Sequence, residues 1–277
     1  MTSSSFSGYV IRAYLVIFLL FMLLPLVIMG GAALNDTRFP SIYPWAGFTS
    51  RWFVALWEDQ RMWVAMRNTV LVALAVVLIA VPIGTASAIL INSVQAKTRS
   101  FLYGFMVAPI LTPGAVIGIS TLLFWNRFSV PAGLHLSILG QVSFIAAYVM
   151  LLVLARLQSF DGGLEEAALD LGASHGQVMR RILLPHLYPA IGAGALIAFF
   201  QSVENFNITL FTRGNSDTLT VYVGSKIRSG ITPTINALAL ILIIFTVVAA
   251  VIYEILRRRE VARQRKLEEE AGQNEVL

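Results

Sequence analysis

SFDGGLEEAALDLGASHGQVMRRILLP, running from Ser159 to Pro185, is a polar stretch between two long apolar runs. It reads as two short helices with a hinge between them. Asp161 suits an N-cap, because its carboxylate can accept a bond from an orphan amide of the first turn. Glu165 and Glu166 follow in that turn, where acidic groups complement the helix dipole. Leu164, Ala167, Ala168 and Leu171 recur at helical spacing and form one apolar face. Gly172 interrupts the pattern with a residue that tolerates positive φ. Ser174 with Gln177 three places later is a capping box, which starts a second helix. Val178, Met179, Ile182 and Leu183 give that helix an apolar side, Arg180 and Arg181 project elsewhere, and Pro185 is expected to stop it or turn it into the next apolar run. A loop this small cannot bury its own apolar face. It either lies on lipid headgroups or serves as a knob for the groove of a soluble partner.

Working outward, the chain has 277 residues, 57% hydrophobic and 13% charged. Soluble domains carry roughly 25% charged residues, so the composition is that of a multi-pass membrane protein. Apolar runs at about 9–29, 66–91, 101–125, 136–155, 187–211 and 235–256 predict six transmembrane helices in an all-α fold. The first run competes with a secretory signal peptide, but it is longer than the usual apolar core of such a peptide. It is read as a retained span. The segment 35–63 carries Trp45, Trp52, Trp57 and Trp63, which suits the membrane interface, with a short interfacial helix at 49–60. Pro109 and Pro113 are expected to break the third span. Such a break either lines a pathway or is a packing kink. A short helix is expected at 219–228, within the loop 212–233.

Three divisions follow. Residues 1–65 hold the first span and its outer loop, 66–257 the transport core with the polar loop 159–185, and 258–277 a solvated helical tail. Lys97, Arg99, Arg156, Arg180, Arg181 and the basic tail fall on one side of this topology. By the positive-inside rule that side is the cytoplasm, and both termini lie there. The chain lacks cysteine, and His135, His175 and His186 have no ligand spacing, so neither a metal nor a cofactor is expected. No Gly-x-x-x-x-Gly-Lys-Ser/Thr phosphate loop is present. Without convergent acids or histidines, no enzymatic activity is expected either.

The polar stretch resembles the EAA loop of ABC importer permeases. Glu166-Ala167-Ala168 is followed, after three residues, by Gly172 and, after nine more, by Ile182-x-Leu184-Pro185. The resemblance implies the type I importer permease fold in a bacterial inner membrane. It also implies that Glu165, Glu166, Ala167, Ala168, Gly172, Ile182, Leu184 and Pro185 seat this loop against a cytoplasmic ATPase. The partners implied are ATP-binding subunits, two in number, a second permease chain and an extracytoplasmic solute-binding protein, with no nucleic acid.

Glu204 lies well past the middle of the fifth apolar run, and an acid there is a functional hypothesis by default. At helical spacing Gln201, Glu204 and Asn205 share a stripe. That stripe either faces a cationic solute or fixes packing through a partner such as Arg213 or Arg127. The segments 219–222 and 230–239, with 160–168, are similar to spermidine/putrescine permeases. That likeness implies an amine-bearing solute such as a polyamine, moved by alternating access past Gln201, Glu204, Asn205, Pro109 and Pro113. The subfamily tends to carry two acids where this chain has Glu204-Asn205. Opine-like or aminophosphonate solutes are therefore the alternative. A secondary transporter using Glu204 as its cation site is the rival from another class.

Overall fold

The computed structural model describes residues 3–230 and 232–274. Ile231, within one of the polyamine-permease-like segments, and the last three residues of the tail lie outside the described residues. The order is α1 Ser3–Leu34, α2 Arg51–Glu58, α3 Gln60–Ser93, α4 Ala96–Leu111, α5 Gly114–Asn126, α6 Leu134–Leu157, α7 Gly162–Asp170, α8 His175–Val178, a π-turn Met179–Leu183, α9 Leu184–Val203, α10 Asn207–Thr212, α11 Leu219–Ser229 and α12 Pro233–Asn274. Among the described residues there is no β-strand, only an isolated bridge between Asn35 and Phe48.

Among the described residues five helices are long and apolar enough to cross a membrane, or six if α4 and α5, bent by 102° at Thr112–Pro113, count as one broken span. The proline pair therefore breaks the third span as expected. Pro113 becomes the N-cap of α5, and Gly114 its first residue. The other predicted helices are present: α2 falls within the expected 49–60, α11 covers the expected 219–228, and α12 continues from the sixth apolar run into the tail.

Two expectations are corrected. Pro185 neither stops nor turns its helix: His175 to Val203 is one continuous rod. Proline lacks an N–H, and its ring collides with the carbonyl four residues back, here that of Arg181. The wider π-turn over Met179–Leu183 takes up that collision, so Pro185 sits in the first turn of α9. The fifth span is also not one helix to residue 211. It ends at Val203, leaves Glu204 to Phe206 outside any helix, and resumes as α10.

The chain divides into two compact units, 1–59 with 226–277, and 60–225. Sequence order had set 1–65 and 258–277 apart from the core, whereas contacts join the first and last helices, because α1 packs on α12 at Gly30 and Leu240. In the first unit the buried Asn35 organises the loop after α1. Its Nδ2 donates to the carbonyls of Ser41 at 2.8 Å and Pro44 at 3.1 Å, and its Oδ1 accepts from the Ala46 amide at 2.8 Å. Its own carbonyl accepts from Trp52 Nε1 at 3.0 Å. One amide side chain thus satisfies a run of irregular backbone that would otherwise be costly to bury.

In the second unit α3, α6 and α9 pack around Ile91, Ile145, Val149, Met150, Val153 and Leu187. Small residues let membrane helices approach closely, and Gly84 is the extreme case. A Cβ there would lie 2.6 Å from the Ala146 carbonyl oxygen and 2.7 Å from Val149 Cβ. Gly84→Ala should force α3 and α6 apart at a cost of about 1–3 kcal/mol, lowering the thermal midpoint in detergent. Gly104→Ala on α4, where a Cβ meets nothing within 4 Å, should leave that midpoint unchanged or slightly raised. Asn35→Ala should loosen residues 36–48 and expose them to limited proteolysis while the spans stay folded.

Candidate functional site

The polar loop folds as its sequence dictates. Asp161 Oδ1 accepts from the Gly163 amide at 2.9 Å, which caps α7. Ser174 and Gln177 close the capping box in both directions, at 2.8 and 3.3 Å. Gly172 adopts φ +85 with nothing within 4 Å of where a Cβ would stand. Glycine is needed there for the backbone conformation, not for space inside this chain. None of the residues of α7 is buried; Leu164 is 54% and Leu171 89% exposed. Leu171, Gly172, Gln177, Val178, Arg181 and Ile182 border a cleft of about 290 Å³ at the hinge. Leu184 and Pro185 lie beyond it, in the first turn of α9. The loop is tied to α6 by Arg156, whose Nε donates to the His186 carbonyl at 3.1 Å, and by Phe160, whose ring meets that of His186 edge-on at 5.3 Å.

A second region forms where the two helix breaks meet. A Cβ on Gly118 of α5 would stand 2.9 Å from the Ile208 carbonyl oxygen, and one on Gly140 of α6 would stand 2.8 Å from Ile208 Cγ2. Ile208 of α10 is wedged between those glycines. Beside this wedge lies a pocket of about 240 Å³, lined by Gly114, Phe144, Gln201, Glu204, Asn205 and Asn207. The helical stripe expected for Gln201, Glu204 and Asn205 does not exist, since α9 ends at Val203. The break brings the three side chains to one pocket by another route.

Asn205 also has local work to do, because its Oδ1 accepts from the Ile208 amide at 3.1 Å and starts α10. Glu204 is exposed as the C-cap of α9 and makes no ion pair among the described residues. Arg213 pairs instead with Asp217, four residues on. Of the prolines, Pro109 lines a separate, mainly apolar cavity of about 670 Å³ with Thr112, Ser120, Thr121 and Ser143, while Pro113 sits at the break between that cavity and the polar pocket. Among the described residues no group of three acids or histidines could hold a metal.

Sequence reasoning missed Gln141. It is fully buried on α6, donates to Thr209 Oγ1 at 2.8 Å and accepts from Ser202 Oγ at 2.5 Å. Ser137 and Thr212 add a further buried pair at 2.9 Å. Together they bind both sides of the break, α9 and α10, to α6. A lone amide inside an apolar run was the available signal, since such a group must find a partner on another helix.

Residues 80–266 match the model of a family described as binding-protein-dependent transport system inner membrane component. The putrescine transport system permease protein PotI of Escherichia coli (strain K12) is 32% identical over 257 residues, covering 90% of this chain and 91% of that protein. The spermidine/putrescine transport system permease protein PotC of the same organism is 27% identical over 239 residues, 86% of this chain and 90% of that one. The fold matches a chain from the crystal structure of a bacterial ABC transporter involved in the import of the acidic polysaccharide alginate, with a TM-score of 0.70 at 16% identity over 92% of this chain and 97% of that one. A family match over most of the length, full-length likeness to transport permeases and a shared fold agree: this chain belongs to the family of binding-protein-dependent transport system inner membrane components.

Proposed function

We propose that this chain is a permease subunit of an ATP-driven importer for a small amine-bearing solute of the putrescine or spermidine kind. The observation that carries the reading is the pairing of an exposed knob with a polar pocket at the two ends of one helix. The knob, Asp161 to Pro185, leaves Leu164 and Leu171 uncovered, as a helix-in-groove contact requires. Its EAA-type spacing assigns Glu165, Glu166, Ala167, Ala168, Gly172, Ile182, Leu184 and Pro185 to the contact with one of two cytoplasmic ATP-binding subunits. A second, different permease chain completes the pathway, and an extracytoplasmic binding protein meets the outer loops near 35–63, 126–136 and 212–233. Both termini then face the cytoplasm, with 258–277 as a tail beyond the transport core.

Substrate chemistry is read from the pocket. The Glu204 carboxylate matches an ammonium group by a charge-assisted hydrogen bond, stronger than a neutral one. Gln201 and Asn205 add amide groups that can bind further polar atoms. Only one acid is present, so one ammonium is held by charge and the rest of the solute by hydrogen bonds and by Phe144. Pro109 and Pro113 shape the broken span beside this route. The relatives named for putrescine and spermidine transport support the same solute class.

Two experiments test these assignments. Gly172→Glu should abolish ATP-dependent uptake and release the ATPase while the spans still insert. Gly172→Asn, which tolerates positive φ, should keep most of both. Full uptake by Gly172→Glu would remove the docking role. Glu204→Gln keeps the shape but loses the charge, and should weaken half-saturation for putrescine by about tenfold or more with the ATPase still bound. A complex that falls apart in that variant would assign Glu204 to packing instead.

A further inference from the structure

The ends of α4 and α6 enclose a cavity of about 490 Å³, separate from the knob and from the polar pocket. It is graded in chemistry. Arg99 and Ser100 from the first turns of α4 and Gln158, the C-cap of α6, line its polar part. Tyr103, one turn further along α4, adds a hydroxyl, and Leu151 and Leu154 of α6 give an apolar wall that runs away from the polar end. Neither helix is interrupted here, so the polar groups sit where two apolar segments end, not part-way along them.

The charge in this cavity is unanswered. Among the described residues the half-buried Arg99 guanidinium has no ion pair, and the Tyr103 hydroxyl and Gln158 amide have no hydrogen-bond partner. Lys97, exposed and two residues earlier, adds a second unpaired cation at the same end of α4. The acid nearest in sequence to Gln158, Asp161, caps α7. A partly buried guanidinium beside the exposed Tyr103 hydroxyl and Gln158 amide suits an anion with several acceptor oxygens. The leucine wall calls for an apolar chain attached to that anion.

We propose that this cavity is a binding site for the phosphate headgroup of an anionic phospholipid, held by Arg99 with Tyr103 and Gln158, its acyl chain lying along Leu151 and Leu154. Basic pockets between membrane helices near the surface bind such headgroups. The inference needs only that α4 and α6 meet the bilayer surface at this end. It does not depend on the knob meeting an ATPase or on the identity of the transported solute, so its failure would leave both untouched.

The test is native mass spectrometry of the full-length chain in detergent, titrated with phosphatidylglycerol or phosphatidylcholine. Phosphatidylglycerol should be retained preferentially. Arg99→Gln should weaken its retention about fivefold, the worth of one basic residue near the surface, and Arg99→Lys should weaken it less. Gln158→Glu, which sets a negative charge on an exposed cap and is not expected to disturb folding, should expel the lipid even if Arg99→Gln is unstable. Arg127→Gln, at the exposed end of α5, should change nothing. Equal retention of both lipids, unchanged retention in Arg99→Gln and Gln158→Glu, displacement of the lipid by inorganic phosphate alone, or loss of it once a second protein chain is assembled on this face would each overturn the proposal.

Discussion

The second unit depends on one constraint: irregular backbone among membrane helices must have its polar groups satisfied by protein. This chain has two such interruptions, Thr112–Pro113 and Glu204–Phe206, and solves both together. The Pro113 break presents Gly114 and Gly118, whose missing side chains admit Asn207 and Ile208 at contact distance. The second break starts α10 with the Asn205 side chain on the Ile208 amide. Gln141, reaching Thr209 and Ser202, then holds both flanks of that break to an unbroken helix. Glycine provides the approach, the amides satisfy what the approach exposes, and the polar pocket is the space left beside them.

Much of this was legible in the sequence, for identifiable reasons. The loop 159–185 was readable because its signals are local: Asp161 as a cap, Gly172 at a positive φ and the Ser174–Gln177 box each depend on residues within four positions. Helix identity was readable for the same reason, since apolar length alone marks a span. The failures concern relations between distant segments. Pro185 reads locally as a stop, yet the π-turn before it keeps the rod intact. The end of α9 at Val203 has no proline or glycine to announce it, and is set instead by how α10 docks on α5 and α6. Gln141 looks like an isolated amide until Thr209 and Ser202, far along the chain, are placed against it. The pairing of α1 with α12 is equally invisible, because neither helix has a face that differs in hydrophobicity from the rest.

The correction at Pro185 bears on mechanism. Had the helix ended there, the knob would hang on a flexible joint, and its displacement would be absorbed locally. The observed rod instead starts at His175 inside the knob and ends at Val203 beside Glu204. At 1.5 Å per residue its α-helical part, α9, is about 30 Å long, roughly the thickness of the hydrocarbon core. Arg156 and Phe160 hold its lower end to α6 through His186, while Ser202 and Gln141 hold its upper end to the same helix. An element fixed at both ends to a neighbour moves with it or tilts against it. Along it the regular hydrogen-bond ladder is interrupted at the π-turn and again at Pro189, which has no N–H to donate. The Gly172 hinge separates Leu164 and Leu171 from this helix, which joins the capping box to the edge of the polar pocket. Glu204 and the capping box at Ser174 thus stand at opposite ends of one continuous helix, and the proline expected to end that helix is accommodated by the π-turn before it.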